Sequence, residues 1–243
     1  MTRLFNGIVA FGSALLLAVT LIGAGFAAVA IPDAATATLS RAFSGCDQPN
    51  TPFTADELAS MAIAGKHYTF DDNDREKLDA AIAEANAAAE ADGRATASTR
   101  ENAARSLPAD AISHLDDVYR VASMAKPALV IVAVLCIAGL AHVAVRIGRR
   151  ALGRTLIASG ELVLAAFCAL GAWAAIDFDG LFAAFHSLFF QAGTWTFPYD
   201  SLLITLYPTA FWMGMGGIWL AVTCGLSILA VLIGFTLGHK QHD

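Results

Sequence analysis

The 243-residue chain is 57% hydrophobic and only 15% charged, where a soluble globular domain carries charge on about a quarter of its residues. Its net charge of −6 argues against nucleic acid as a partner. The apolar residues are clustered into four stretches, each long enough to cross a hydrocarbon core of about 30 Å, which takes roughly 20 helical residues. Such stretches must be helical, because a bilayer offers no water to exposed backbone groups.

The first span runs from about Phe5 to Ile31, just after Arg3. Ala28-Val29-Ala30 looks like a signal-peptidase site, but the apolar run before it is about twice the length of a signal h-region, so an uncleaved anchor is expected. A link at Gly45 to Pro52 follows. Thr54-Ala55-Asp56-Glu57 ahead of Leu58, Met61 and Ile63 predicts a capped helix start, and Asp71-Asp72-Asn73-Asp74 the next. The Ala- and Glu-rich run to about Ala91 is expected to be a solvated surface helix, stopped by Asp92-Gly93, with a loop at Thr96 to Thr99. Another helix should start near Pro108-Ala109-Asp110, pass through His114 to Tyr119 and head for the second span, with Pro127 permitting a bend.

The second and third spans are Pro127 to Val145 and Leu156 to Ile176. Leu181 to Phe190 is too apolar for a free loop and too short to span, and reads as a helix in the membrane interface. Trp195, Phe197, Tyr199, Tyr207 and Trp212 then resemble an aromatic belt. The fourth span is Thr209 to Leu237, where Gly214, Gly216 and Gly217 should allow close helix packing. No run alternates as a strand would, and no internal repeat is evident.

The expected fold is an all-α membrane protein with four transmembrane helices, a mainly helical extracytoplasmic domain, and an interfacial helix before the fourth span. The corresponding divisions are 1–31, 32–126, 127–176, 177–208 and 209–243. Arg3, Arg146, Arg149, Arg150, Arg154 and Lys240 fall on one side of four crossings, which should be cytoplasmic together with both termini. Cys136, Cys168 and Cys224 lie within spans and Cys46 stands alone outside, so no disulfide is expected in the outer domain.

Two outer histidines carry the chemical signal. His186 has Phe182 four residues before it and Phe189 and Phe190 three and four after, a low-dielectric setting that favours neutral imidazole and hence a base. The bland alternative is an interfacial histidine among lipid headgroups. Asp117 lies three residues after His114 and could orient its ring, or the two could form a solvated pair. Both histidines fall on the outer side, so one shared site is geometrically open to them. Metal binding by His114, Asp117 and His186 lacks the paired short spacing of a zinc helix. No nucleophile elbow or phosphate loop is present. His67 is expected to be structural, His142 and Glu161 to pair with each other or with Arg146, and His239 and His242 to be tail residues.

At these positions the sequence resembles the lipoprotein intramolecular transacylase (Lit) family of bacterial membrane proteins. The resemblance rests on His114-Leu115-Asp116-Asp117-Val118 and on Phe185-His186-Ser187-Leu188-Phe189-Phe190. Trp195, Asp200, Leu203-Ile204 and Pro208 extend it, as does the arrangement of four spans with one large outer domain. Family members often have lysine where Tyr119 stands and aspartate where Phe197 precedes Pro198.

The resemblance implies a membrane acyltransferase that moves the sn-2 acyl chain of a diacylglyceryl lipoprotein to the α-amino group of its N-terminal cysteine, giving an N-acylated lyso-form lipoprotein. His114 and His186 match the histidines taken as catalytic in that family; His186 is expected to be the principal base and His114 its partner, with Asp117 orienting. No cofactor or metal is implied, and the partners would be the lipoprotein substrate and membrane lipid. The alternatives are a non-catalytic scaffold or accessory subunit, an outward-facing metallohydrolase, and a transporter, which the lack of an inverted repeat disfavours.

Overall fold

The computed structural model describes residues 2–48, 50–96 and 105–239. Most of the expected Thr96 to Thr99 loop, with Pro49, Lys240 and His242, lies outside the described residues. The helices are α1 (Thr2–Ala30), α2 (Asp33–Phe43), α3 (Ala55–Phe70), α4 (Arg75–Ala91), α5 (Ala109–His142), α6 (Arg149–Ile176), α7 (Phe178–Phe189), α8 (Leu202–Leu206) and α9 (Thr209–His239), with a π-helical turn at Val143–Ile147. Among the described residues there is no strand. Four helices are long and apolar enough to cross a membrane: Arg3–Ala30, Ala109–Ile147, Arg149–Ile176 and Thr209–His239. The chain is a multi-pass membrane protein. It packs as two compact units, Met1–Ala28, Ala125–Leu181 and Ile218–Asp243 in the first, Val29–Met124 and Phe182–Gly217 in the second.

The first unit holds the spans. Trp219 anchors its packing: the indole N–H donates to the Ile22 carbonyl at 3.2 Å, and its ring meets Phe26 and Phe167 edge-on at 6.0 and 5.2 Å. Beside it, Ala18, Val163 and Phe167 form a small buried core. Of the expected packing glycines only Gly214 packs closely, against Leu39 of α2 within the second unit, while Gly216 and Gly217 have open space around them. In the first unit α6 and α9 approach closely, and a methyl on Gly153 or on Gly234 would stand 2.6 Å from the other's carbonyl oxygen. In lipid, where no hydrophobic force joins helices, such backbone proximity is a main source of attraction.

The turn from α5 to α6 is a single residue, Gly148, at φ 115° and ψ 168°, a conformation a side chain would oppose. The expected pairing of Glu161 is not found. Glu161 is exposed, with no ion pair or hydrogen bond among the described residues, while His142 packs edge-on to Phe5 at 6.1 Å.

The second unit is built on local signals. Thr54 accepts from the Glu57 N–H at 3.3 Å while its own N–H donates to Glu57 Oε2 at 2.7 Å, the reciprocal capping box that starts α3. Asp74 accepts from the N–H groups of Glu76 and Lys77 to start α4, and Gly93 at φ 68° ends it. Arg94 then grips Glu57 with two nitrogens at 2.7 and 2.9 Å, tying the end of α4 to the beginning of α3.

The expectation of a solvated α4 is overturned. Leu78, Ile82, Ala85 and Ala89 are all buried in the main core with Met61, Leu115 and Leu206. Their spacing of four, three and four places them on one face, and the two alanines let α4 lie close to its neighbours. The sequence shows too little bulk to reveal the stripe. Helix α2 was not anticipated; it buries Leu39 behind an unusually polar face that includes Thr36 and Ser40.

Candidate active site

Helix α5 continues through Pro127 without interruption. Proline has no N–H, so the Ser123 carbonyl loses its donor from four residues on, a defect the helix tolerates here. Ala111, Ile112 and Leu115 bury the first turns of α5 in the core, and Tyr68 donates to Asp116 Oδ1 at 2.5 Å. Asn73 donates to the same oxygen at 3.3 Å. The segment carrying His114 is thus fixed on both sides by α3 and its following turn.

Asp177 accepts from the Gly180 N–H at 2.8 Å and so caps α7, whose residues from Phe182 onward belong to the second unit. His186 lies one turn from the end of α7. Its Nδ1 is 2.9 Å from the Phe182 carbonyl oxygen; a carbonyl can only accept, so Nδ1 carries the proton and Nε2 carries the lone pair in the neutral ring.

The two histidines come together. Their ring centroids are 6.1 Å apart with planes tilted by 30°, and both residues are nearly buried, at 8% exposure for His114 and 9% for His186. Aromatic rings enclose them. Phe182 lies 4.0 Å from His186 and Trp195 4.8 Å. Phe190 lies 5.0 Å from His114 and 5.7 Å from His186, and Phe197 approaches His114 at 5.5 Å.

This desolvated setting holds both imidazoles in the neutral form. Burial lowers the His114 pKa to about 4, with the neighbouring His186 adding to the fall and Asp117 opposing it. Burial likewise lowers His186, against a partial rise from the Phe182 hydrogen bond. His114 Nδ1 and Trp195 Nε1 are both buried without a hydrogen-bond partner, an arrangement uncommon in a finished interior. The cage therefore offers polar atoms that nothing among the described residues satisfies.

Asp117 does not hydrogen-bond to His114. Its Oδ1 accepts from Arg120 Nη1 at 2.8 Å, because a residue three positions on in the same helix reaches it more readily than a ring turned into the cage. Its influence on His114 is electrostatic. His67 is structural, set between Asp33 and Asp71. The rings of Phe182 and Phe190 were marked by their helical spacing from His186. Trp195 and Phe197 read only as belt residues, since nothing local shows that their loop folds back over α7. Tyr207 is half-buried against the main core, its hydroxyl donating to the Ala62 carbonyl at 2.7 Å.

Comparison with known proteins places this site in context. Residues 93–212 match the family model for the lipoprotein intramolecular transacylase Lit, a region that includes His114, Asp117, His186 and the cage. An uncharacterised protein of Aquifex aeolicus is 28% identical over 140 residues, which is 58% of this chain and 61% of that relative's length. The membrane-integral transacylase Lit of Bacillus cereus superposes with a TM-score of 0.71 at 16% identity, covering 97% of each chain. A form of it with one histidine changed to alanine gives 0.68 over 98% of this chain and 96% of that one. At this identity the likeness is one of fold. The family match spans both histidines and just under half of the chain, so over this region the chain is similar to the Lit family of lipoprotein intramolecular transacylases.

Proposed function

We propose that this protein transfers the sn-2 acyl chain of a diacylglyceryl lipoprotein to the α-amino group of the lipoprotein's own N-terminal cysteine. The observation that carries the reading is the pair of neutral imidazoles, buried together in an aromatic cage, with the His186 lone pair assigned to Nε2.

In the reaction, the neutral amine attacks the ester carbonyl and a nitrogen–carbon bond forms. His186 Nε2 takes the amine proton as the tetrahedral centre develops, a general-base role commonly worth about 10²–10⁴ in rate. His114, also neutral, donates to the developing oxyanion, as a neutral imidazole does when its pKa is held low. Collapse breaks the acyl carbon–oxygen bond, and the proton held by His186 passes to the leaving glyceryl oxygen. One amide replaces one ester, with no redox change. Because nucleophile and ester belong to one molecule, folding the substrate into the cage supplies much of the advantage. Asp117 contributes its charge near His114.

The distribution of basic residues supports a cytoplasmic location for both termini and an extracytoplasmic site. Phe185, Leu188 and Phe189 on α7 are exposed, which suits immersion in the outer leaflet, where the substrate's acyl chains lie.

The test is expression in a bacterium whose lipoproteins stay diacylated with a free amine, followed by mass spectrometry of a reporter's N-terminal peptide. Conversion to the N-acylated lyso form, lost on His186→Ala, is expected. An unchanged diacylglyceryl peptide, with the protein shown to be inserted, would favour an accessory role.

A further inference from the structure

At the end of the first unit where α6 begins and α9 finishes, Arg150, Gly153, Arg154, Ile157, Gly234, Phe235, Gly238 and His239 line a cavity of about 420 Å³. Its shape follows from the sequence. The close glycine contact between α6 and α9 continues to Gly238, which has open space around it, so the wall is bare backbone where side chains would otherwise fill it. Arg150 and Arg154 are one helical turn apart and share a face of α6, at the positive end of a 28-residue helix.

The cations of the second unit are largely neutralised within the chain: Arg41, Arg75, Arg94, Arg105 and Arg120 each meet a carboxylate. Arg150 and Arg154 have neither an ion pair nor a hydrogen bond among the described residues. Two unpaired guanidiniums beside a cavity are poised for an anion with several acceptor oxygens, and guanidinium matches the geometry of phosphate. Ile157 and Phe235 add an apolar side to the same cavity. The position at the termini of two membrane spans is the depth of lipid headgroups.

We propose that this cavity binds the phosphate of an anionic phospholipid, with Arg150 and Arg154 on the phosphate and Ile157 and Phe235 against the first carbons of the lipid tail. The site is separate from the histidine cage and does not depend on the reaction assigned to it. Its occupant would join α6 to α9 beside the Gly153–Gly234 contact. Basic pockets between transmembrane helices recognise acidic headgroups by this combination of charge and apolar wall.

The experiment is native mass spectrometry of the full-length protein in detergent with added phosphatidylglycerol, phosphatidylcholine or inorganic phosphate. Phosphatidylglycerol should be retained in preference to phosphatidylcholine. Retention should fall at least about tenfold in Arg150→Gln/Arg154→Gln, and stay unchanged in Arg149→Gln, whose side chain does not line the cavity. Gly238→Leu provides a second variant that occupies the open space and keeps both charges, so it too should lose the lipid. Equal retention of both lipids, or full retention in the double variant and in Gly238→Leu, would overturn the proposal. Binding of inorganic phosphate that displaces phosphatidylglycerol would overturn the lipid reading in favour of a free anion.

Discussion

His186 donates its Nδ1–H to the carbonyl oxygen of Phe182, 2.9 Å away and one turn back along α7. This one bond settles which nitrogen holds the lone pair, and it does so with backbone, which side-chain substitution cannot remove. Replacing His186 by alanine is expected to lower turnover of a diacylglyceryl lipoprotein by about 10²–10⁴. His186→Phe should do the same while filling the cage. A thermal midpoint close to wild type in the Phe variant would separate the loss of the base from loss of the fold. Wild-type turnover in both variants would end the catalytic assignment.

The same desolvation sets a pH signature. The His114 pKa lies near 4 and that of His186 below its usual value, so His114 stays neutral well under pH 6.5 and burial favours the neutral ring of His186 too. The substrate amine, with a pKa near 8, must lose its proton to react. Turnover should therefore climb from about pH 6 to pH 9 with the amine, with no histidine inflection at 6.5. Stability moves too. Between pH 6.5 and about 4 an unfolded imidazole takes up a proton that folded His114 refuses, so acid favours unfolding across that window. His114→Phe should flatten the fall in thermal midpoint measured there, and an unchanged slope would count against a neutral, buried His114.

How much of this was legible in the sequence differs from residue to residue. Four spans, the Thr54 and Asp74 caps and the stop at Gly93 could be read directly, because each is set by composition or by groups within one turn. The two histidines could be marked, and Phe182 and Phe190 placed beside His186, because helical spacing alone puts them there. Trp195 and Phe197 belong to a loop whose return over α7 depends on contacts distant in sequence. The partner of Asp117 turned on which of two neighbours on one helix reaches it, and Arg120 does. Gly214 packs as its position suggests, but Gly216 and Gly217 do not, since Gly216 and Gly153 look alike until the partner helix is known.

Tyr68 and Asp116 hold the start of α5 in place. Burial, helped by the 2.5 Å hydrogen bond to Asp116, pushes the tyrosine pKa up to about 12, so the phenol stays a donor at any working pH. Tyr68→Phe should cost about 1.5–3 kcal/mol of stability, as for a hydrogen bond to a charged group. Asp116 lies two residues after His114, so loosening α5 here should also reduce kcat through the ring's position. A Tyr68→Phe/Asp116→Asn double variant should lose less than the sum of the singles. Strict additivity in thermal denaturation would show that the pair is not coupled.

Helix α4 offers the sharpest contrast between composition and packing. Read by composition it is a solvated alanine helix, and a substitution anywhere along it would be nearly neutral. In the structure Leu78 is fully buried while Glu84, on the opposite side, is exposed. Leu78→Ala opens a cavity in the core that Leu78 shares with Met61, Ile82 and Leu115 and should cost about 2–5 kcal/mol. Glu84→Ala removes only a solvated carboxylate and should stay within about 0.5 kcal/mol. The two substitutions lie less than two turns apart on one helix, so a general intolerance of α4 to change would affect them alike. Equal and small losses in thermal denaturation would restore the solvated helix, whereas a large loss confined to Leu78 follows only if the alanine face packs inward.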